Sequence, residues 1–78
     1  MQVVGYMSGI SKKGNPYCII YALKPLQVRQ GWAGCQPQQI NCLPQVADQL
    51  IPEMIGEECN MSFDLDAWGN PVCKEISL

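Results

Sequence analysis

The tripeptide Gly-Asn-Pro occurs twice in this chain of 78 residues, and it restricts the fold more than any other feature. It stands in the segments "GNPYC" at residues 14–18 and "GNPVC" at residues 69–73. Glycine adopts positive φ angles at no steric cost, and proline cannot donate a hydrogen bond to a β-ladder. Each copy is therefore predicted to lie in the loop of a β-hairpin, just before the outgoing strand. Outside these five residues the flanks do not match, which indicates one turn used twice and not a duplication.

Alternation of apolar and polar residues, with β-branched and aromatic enrichment, predicts five short strands at residues 2–10, 17–26, 38–43, 57–65 and 71–78. In the first strand, Val4 and Tyr6 are expected on one face and Val3 and Met7 on the other, with Gly5 permitting a bulge. The second strand is apolar on both faces, which is typical of a central strand. In the fourth strand the residues expected to face inward are Cys59, Met61, Phe63 and Leu65.

The connections complete the expected fold. Residues 27–37 contain two glycines and no sustained period, so they are predicted to form a loop. Pro44 suits the first turn of a helix, and the apolar spacing up to Pro52 predicts one short helix between strands 3 and 4. The resulting class is mostly β, a five-stranded OB-like barrel in a single domain spanning residues 1–78. A domain this small buries only roughly 60 to 65% of its unfolded surface, so a partner subunit would stabilise it.

Composition and segment lengths narrow the class of protein. With 47% hydrophobic and 15% charged residues, the chain is expected to be globular rather than disordered. The longest apolar run, residues 18–23, is far too short for a membrane helix, and residues 1–10 lack the pattern of a signal peptide. We therefore expect a cytoplasmic protein without a membrane partner.

The five cysteines do not follow a ligand or disulfide pattern. They form no CxxC pair, their number is odd, and the chain has no histidine. We therefore expect no metal, no cofactor and no disulfide framework, with the thiols as small buried hydrophobes and Cys35 as the candidate for an exposed one. The absence of histidine, of a carboxylate pair in a recognisable motif and of a phosphate-binding glycine loop predicts that the protein is not an enzyme.

Charge is distributed asymmetrically along the chain. Residues 1–47 carry four basic side chains and no acid, whereas residues 48–78 carry all seven acids and Lys74, so a net charge of −2 conceals halves of +4 and −6. If the basic half folds to one face, that face could follow a polyanion. The alternative is that these charges only solvate the surface, because four basic residues are few for a nucleic-acid site.

The first predicted hairpin combines basic and aromatic side chains. Lys12 and Lys13 stand at its tip and Tyr17 begins the outgoing strand, with Tyr21 on the same face. Ammonium groups bind phosphates and aromatic rings stack on bases, so this combination suits single-stranded nucleic acid. Further candidates in the basic half are Lys24, Arg29 and Trp32. The alternative for the two tyrosines is ordinary sheet packing, and Trp68 is expected to cap the end of the barrel.

The pattern Ser-basic-x-Gly-x-Pro-Tyr, at residues 11–17, resembles the DNA-binding hairpin of the single-stranded-DNA-binding proteins of filamentous phages and related mobile elements. The order Ile55-Gly56, strand, Trp68-Gly69-Asn70, strand is similar to the ending of such proteins. The resemblance implies an OB-like barrel, a two-fold homodimer and coating of single strands during replication in a bacterial host cell, with Lys12 as a basic contact and Tyr17 as a stacking ring. Lys13 lies where the family is variable, and the residues leave the choice between DNA and RNA open.

A protein-interaction module is the alternative function. An edge strand, the Trp32 loop and an acidic second half could serve to recruit a protein partner. Nucleic-acid binding requires Lys12, Lys13 and Tyr17, whereas recruitment of a protein does not. These three residues therefore distinguish the two hypotheses.

Overall fold

The computed structural model describes all 78 residues and is mostly β, as the sequence predicts. The five strands are β1 (Gln2–Ile10), β2 (Pro16–Pro25), β3 (Cys35–Asn41), β4 (Asn60–Leu65) and β5 (Pro71–Ser77). Two short 3₁₀ helices, Pro44–Gln49 and Pro52–Met54, connect β3 to β4. No helix is long and apolar enough to cross a membrane.

The strands form two antiparallel sheets rather than one continuous barrel ladder. One sheet has the order β1-β2-β3, and the other is the β4-β5 hairpin. Single bridges connect the sheets: Gln2 pairs with Glu58, and Cys42, just after β3, pairs in parallel with Cys73 of β5. Backbone hydrogen bonds support both bridges, including Leu43 N–H to the Cys73 carbonyl at 2.9 Å and Cys59 N–H to the Met1 carbonyl at 3.1 Å.

The hydrophobic core lies on one face of the three-stranded sheet, between β2, the first 3₁₀ helix and β5. Cys18, Ile20 and Ala22 of β2 are buried, and Ile20 pairs directly with Ile40 of β3. The remaining buried side chains, Val3, Val46, Met54, Cys59, Cys73 and Ile76, complete a cluster of ten residues with Ile40. We call this side of the three-stranded sheet the core face and the opposite side the outer face.

A bulge in β1 changes the predicted alternation of its side chains. The register with β2 shifts between Val3 and Gly5, so Val4 has no direct partner. Val3 and Tyr6 consequently both lie on the core face, opposite Ala22 and Ile20, although the alternation had separated them. Met7 lies on the outer face and is 46% exposed.

The loop predicted over residues 27–37 is shorter in the structure. Residues 35–37 belong to β3, because they pair with Pro25, Lys24 and Leu23 in an unbroken register. The hairpin continues beyond the strands, with Leu26 N–H bonded to the Gly34 carbonyl at 3.0 Å and an isolated bridge from Arg29 to Trp32. The sequence pattern predicts a loop here because residues 35–37 do not alternate between apolar and polar side chains. Their strand conformation comes from pairing with β2.

The short helix predicted from Pro44 up to Pro52 is a 3₁₀ helix over Pro44–Gln49, and a second 3₁₀ segment, Pro52–Met54, follows it. Leu50 and Ile51, which separate the segments, have extended backbones with ψ angles of 132° and 148°. A residue before proline is driven away from helical angles, so Pro52 keeps Ile51 extended and begins the second segment. Segments this short form 3₁₀ rather than α-helical hydrogen bonds.

The β4-β5 hairpin begins later and is less buried than its pattern predicts. β4 starts at Asn60, and Cys59 and Met61 lie against the core as expected. Phe63 and Leu65 do not, since they are 42% and 67% exposed. No residue of the hairpin beyond Phe63 and before Cys73 is buried, so its end projects past the core and leaves these side chains uncovered.

Candidate nucleic-acid interface

Ser11 fixes the tip of the first hairpin. Its N–H donates to the Asn15 carbonyl at 2.8 Å, its carbonyl accepts from Gly14 N–H at 2.9 Å, and its hydroxyl accepts from Asn15 N–H at 3.2 Å. Gly14 has a φ of 84°, which only glycine adopts without strain. The turn therefore holds Lys12 and Lys13 at an exposed tip.

The second Gly-Asn-Pro loop repeats this geometry, which confirms that both copies lie in hairpin loops. Asp66 N–H donates to the Asn70 carbonyl at 2.9 Å, Gly69 N–H donates to the Asp66 carbonyl at 3.1 Å, and Gly69 has a φ of 80°. The Asp66 carboxylate accepts from the N–H groups of Trp68 and Asn70, both at 2.8 Å. Asp66 thus takes the place of Ser11, and Trp68 takes that of Lys13.

Trp68 does not cap the end of the core. Its side chain is 86% exposed, because the turn holds it at the tip of a hairpin that projects beyond the buried residues. The expectation that it closes the barrel end is therefore wrong.

Tyr17 lies on the outer face, across the neighbouring strand. It pairs directly with Gly9 of β1, and a Cβ added at Gly9 would stand 3.0 Å from the Tyr17 hydroxyl oxygen. The ring therefore lies against the β1 backbone in the space that the glycine leaves open. The side chain is 38% exposed, so a face or edge of the ring remains accessible.

Tyr21 shares the outer face with Tyr17. It is half-buried and pairs with Gly5, but no atom lies within 4 Å of a Cβ added at Gly5, so its ring does not cross β1 as that of Tyr17 does. Met7 and Ile19 pair with each other between the two tyrosines. Met7 is a part of this surface that the sequence pattern did not predict. The register of the β1-β2 hairpin, which the turn sets, would have placed Met7 opposite Ile19.

The basic side chains of the first half have no acidic partners. The one ion pair in the structure joins the Met1 amino group to the Glu58 carboxylate at 2.6 Å. No carboxylate of the chain therefore competes with an external anion for Lys12, Lys13, Lys24 or Arg29. No carboxylate precedes Asp48 in the sequence, which agrees with this separation.

The other three predicted contact residues lie at the opposite end of β2 from the first hairpin tip. Lys24 pairs with Gln36 and, by strand alternation, lies on the same side of the sheet as Ala22. The Arg29 guanidinium lies 4.9 Å from the centre of the Trp32 ring, and its Nη2 donates to the Gln27 side chain at 2.6 Å. The structure therefore places Lys12, Lys13 and Tyr17 at one end of β2 and Lys24, Arg29 and Trp32 at the other. Tyr21 lies between the two groups, and Lys24 is on the side of the sheet opposite the two tyrosines.

Three of the cysteines meet in the core and form no disulfide. Cys42 is flanked by the other two, because its N–H donates to the Cys18 carbonyl at 3.0 Å and it forms the parallel bridge with Cys73. Burial is the main cause that raises the pKa of all three thiols. Burial also raises the pKa of Cys59. Cys35 is exposed, as the sequence predicts. No group of three or more His, Cys, Asp or Glu side chains is arranged to hold a metal ion.

Comparison of the chain with known protein families, with characterised proteins and with solved structures found no match. The resemblance to phage single-stranded-DNA-binding proteins therefore rests on the hairpin at residues 11–17 and on the order of elements from Ile55 onward, and it stays a prediction.

Proposed function

We propose that this protein binds single-stranded DNA without catalysing a reaction. One observation carries the proposal: Lys12 and Lys13 form no ion pair and lie at a hydrogen-bonded hairpin tip, next to Tyr17 at the start of β2. The Tyr17 ring lies over Gly9 on the outer face and is partly accessible. Ammonium groups neutralise phosphates, and a ring stacks on any base, so the combination favours binding with little sequence preference.

The outer face suits a single strand better than a duplex. Beyond the hairpin tip, the residues facing outward from β1 and β2 are uncharged, and they include Met7, Ile19 and Tyr21. Unpaired bases expose apolar faces that can lie on such a surface, whereas a duplex buries its bases and presents mainly phosphates. Tyr17 and Tyr21 would supply successive stacking positions along β2.

We further propose that residues 1–78 form one partly open OB-like barrel. The bridge from Gln2 to Glu58 and the bridge from Cys42 to Cys73 link the two sheets in the cyclic order β1-β2-β3-β5-β4. A sheet closes into a barrel when each strand has a neighbour on both sides, and this cyclic order gives every one of the five strands two neighbours. The central strand β2 then presents its outer face to the ligand.

The proposed role is to coat single strands during replication of a phage or mobile element, in the cytoplasm of the host cell. The protein would act as a homodimer. Only ten side chains are buried, and the apolar side chains of Phe63, Leu65 and Trp68 on the projecting β4-β5 hairpin are exposed. Contact with a second copy would bury these three side chains and stabilise the small domain.

Fluorescence anisotropy of a labelled oligo-dT of about 25 nucleotides, titrated at several salt concentrations, tests this function. We expect affinity that falls with salt, and a Lys12→Ala/Lys13→Ala variant whose log-log salt slope is smaller by about 1.4, since each phosphate contact on a single strand contributes about 0.7. Tyr17→Ala should weaken binding by about 1 to 3 kcal/mol, the range for one stacked base. Lys74→Ala, on the exposed surface of β5, is the matched control and should keep the wild-type slope.

Three outcomes would contradict the proposal or change its ligand. An absence of binding at low salt removes it. Equal losses in the Lys74 and the hairpin variants would move the site away from the hairpin. Tighter binding of oligo-rU than of oligo-dT would assign RNA as the ligand.

A protein-interaction module is the second candidate function, and the exposed apolar side chains of the β4-β5 hairpin favour it. This function would leave the Lys12, Lys13 and Tyr17 variants without effect. It would instead require Phe63, Leu65 or Trp68.

A further inference from the structure

The end of the β2-β3 hairpin contains a cleft that is separate from the outer face of the sheet. The cleft has a volume of about 350 Å³ and is lined by Leu26, Gly31, Trp32, Ala33 and Gln36. Three of these residues are apolar, and the Gln36 side chain supplies an amide with both donor and acceptor capacity. Trp32 is 51% exposed, so its indole forms an accessible wall.

Two glycines build the cleft. Trp32 N–H donates to the Arg29 carbonyl at 3.0 Å, which closes a tight turn with Gly31 at a φ of 82°. Gly34, at a φ of 90°, accepts from Leu26 N–H at its carbonyl and returns the chain to β3. These positive φ angles fold the loop back on itself and hold Trp32 in place over the end of the hairpin.

The Trp32 indole has a cationic neighbour, Arg29, and also borders the cleft. The Arg29 guanidinium lies 4.9 Å from the ring centre, in cation–π contact, and the Gln27 side chain holds it there through a bond of 2.6 Å. Arg29 does not line the cleft, so the part of Trp32 that borders the cleft is left open. A flat aromatic group in the cleft would therefore contact the same indole that is already in cation–π contact with Arg29.

The charge around the cleft indicates an anionic ligand. Lys24 pairs across the strands with Gln36, one of the lining residues, and neither Lys24 nor Arg29 forms an ion pair. No acidic residue occurs in the first 47 positions, which include the whole β2-β3 hairpin. A ligand with a planar base and a flanking phosphate matches the aromatic wall, the amide and the two cations together.

We propose that this cleft binds one base of a single-stranded nucleic acid, stacked on Trp32, with Lys24 and Arg29 at the adjoining phosphates. The inference rests on the proposed function and adds to it a second contact site at the far end of β2 from Lys12 and Lys13. Between Tyr17 and Pro25, β2 is about 26 Å long at 3.3 Å per residue, and the nucleic acid must cover at least this distance. It must also pass from the outer face, where Tyr17 and Tyr21 lie, around the end of the β2-β3 hairpin to the side of the sheet that carries Lys24 and Gln36.

Fluorescence of Trp32 tests the proposal directly. Trp68→Phe leaves Trp32 as the one tryptophan, and oligo-dT is added to this variant while emission and anisotropy of a label on the oligonucleotide are both recorded. We expect quenching of Trp32 that saturates together with the anisotropy. An oligonucleotide of the same length made of abasic residues should bind through its phosphates with little quenching, and free dTMP should quench only at much higher concentration because it lacks neighbouring phosphates.

Affinity measurements with Trp32→Ala and Val28→Ala complete the test. Trp32→Ala should lower the affinity for oligo-dT about fivefold or more, the smallest loss expected for one stacked base. Val28, in the same loop, is fully exposed and does not line the cleft, so Val28→Ala is the matched control and should bind like the wild type. Far-ultraviolet circular dichroism verifies that both variants keep the strands.

The results separate this inference from the function on which it rests. Oligo-dT that binds without quenching Trp32, or with equal affinity for the Trp32→Ala variant, overturns the cleft site and leaves the first hairpin as the binding site. Equal quenching by the abasic oligonucleotide overturns the assignment to a base. Wild-type protein that binds no oligonucleotide overturns the proposed function and this inference with it.

Discussion

The Tyr17 ring lies across Gly9, its direct partner on β1, and its hydroxyl oxygen would stand 3.0 Å from a Cβ at that position. The absence of a side chain at Gly9 therefore leaves the space that the Tyr17 ring, the proposed stacking group, occupies. Gly5 holds the corresponding position opposite Tyr21, yet a Cβ there would meet no atom within 4 Å. The two glycines offer a matched pair of sites for testing what the seat of Tyr17 contributes.

Gly9→Val should weaken binding of oligo-dT by several fold, because two γ-methyl groups would displace the Tyr17 ring from the β1 backbone. Gly5→Val is the matched control and should bind within about twofold of the wild type, since no atom lies within 4 Å of a Cβ at that position. Anisotropy titrations of both variants give the affinities, and urea unfolding shows whether either loses stability. Equal affinities for Gly9→Val and wild type would mean that Tyr17 does not need this position to bind DNA.

Gly14 and Gly69 are expected to make equal contributions to stability. Both have φ angles near 80° within the same pattern of backbone hydrogen bonds, and neither would place a Cβ against another atom. Alanine at either site should therefore lower the free energy of unfolding by about 1 to 2 kcal/mol through backbone strain alone. Urea denaturation measures the effect, and a difference of more than about 1 kcal/mol between the two variants would show that the turns are not equivalent.

The hairpin turns were predictable from the sequence because their determinants are local. Glycine at a positive φ, a side-chain acceptor three residues before it, and a proline that starts the outgoing strand all lie within six residues. The placement of Lys12, Lys13 and Tyr17 follows from the turn and one strand's alternation. This part of the candidate site therefore needed no knowledge of the tertiary structure.

The errors occurred where pairing with another strand decides the structure. The bulge at Val4 puts Val3 and Tyr6 on one face, and a register shift between Ser62 and Phe63 interrupts the second hairpin. The alternation of apolar and polar residues in the sequence does not show where either register shift occurs. The exposure of Leu65 depends on how far the core extends under its hairpin, which no local pattern specifies.

Similar reasoning explains why the cleft at Trp32 was not predicted. The sequence places Trp32 between two glycines, which suggested a loop. Whether Arg29 stacks on Trp32 and whether Gln36 borders the same space depend on the continuation of the β2-β3 pairing into the loop. That continuation depends on the tertiary structure, so the sequence could indicate the kinds of residue in the loop but not the cleft that they form.

Cys35 should be the one thiol that reacts rapidly in the native protein. It is exposed, whereas Cys18, Cys59 and Cys73 are buried and Cys42 is half-buried, and burial raises the pKa of these four. Thiolates are the reactive form, so a raised pKa slows modification further. Titration with an aromatic disulfide reagent at pH 8 should give one fast thiol, all five in urea, and none fast in Cys35→Ser. Two or more fast thiols would contradict the closed core.

Stability should fall as the pH rises above about 8.5, the ordinary pKa of a cysteine thiol. Burial raises the pKa of Cys42 in the folded state, and contacts with Cys18 and Cys73 raise it further. The unfolded state then loses its thiol protons first, so its free energy drops relative to that of the folded state as pH increases. Urea unfolding between pH 7 and pH 10 should show this loss, and Cys42→Ala should reduce the slope. A slope unchanged in Cys42→Ala would assign the loss to other groups.

Leu65→Asp should convert the proposed homodimer into a monomer. Leu65 is 67% exposed on the projecting hairpin and pairs with Pro71, close to Phe63 along the strand, so a carboxylate there would place an unpaired charge in any apolar contact between two copies. Val28→Asp is the matched control, because Val28 is fully exposed on the β2-β3 loop, away from this hairpin. Sedimentation equilibrium at tens of micromolar should give about twice the chain mass of 8.7 kDa for the wild type and Val28→Asp, and 8.7 kDa for Leu65→Asp. A monomeric wild type would exclude the dimer at these concentrations, whereas a dimeric Leu65→Asp would place its interface elsewhere on the molecule.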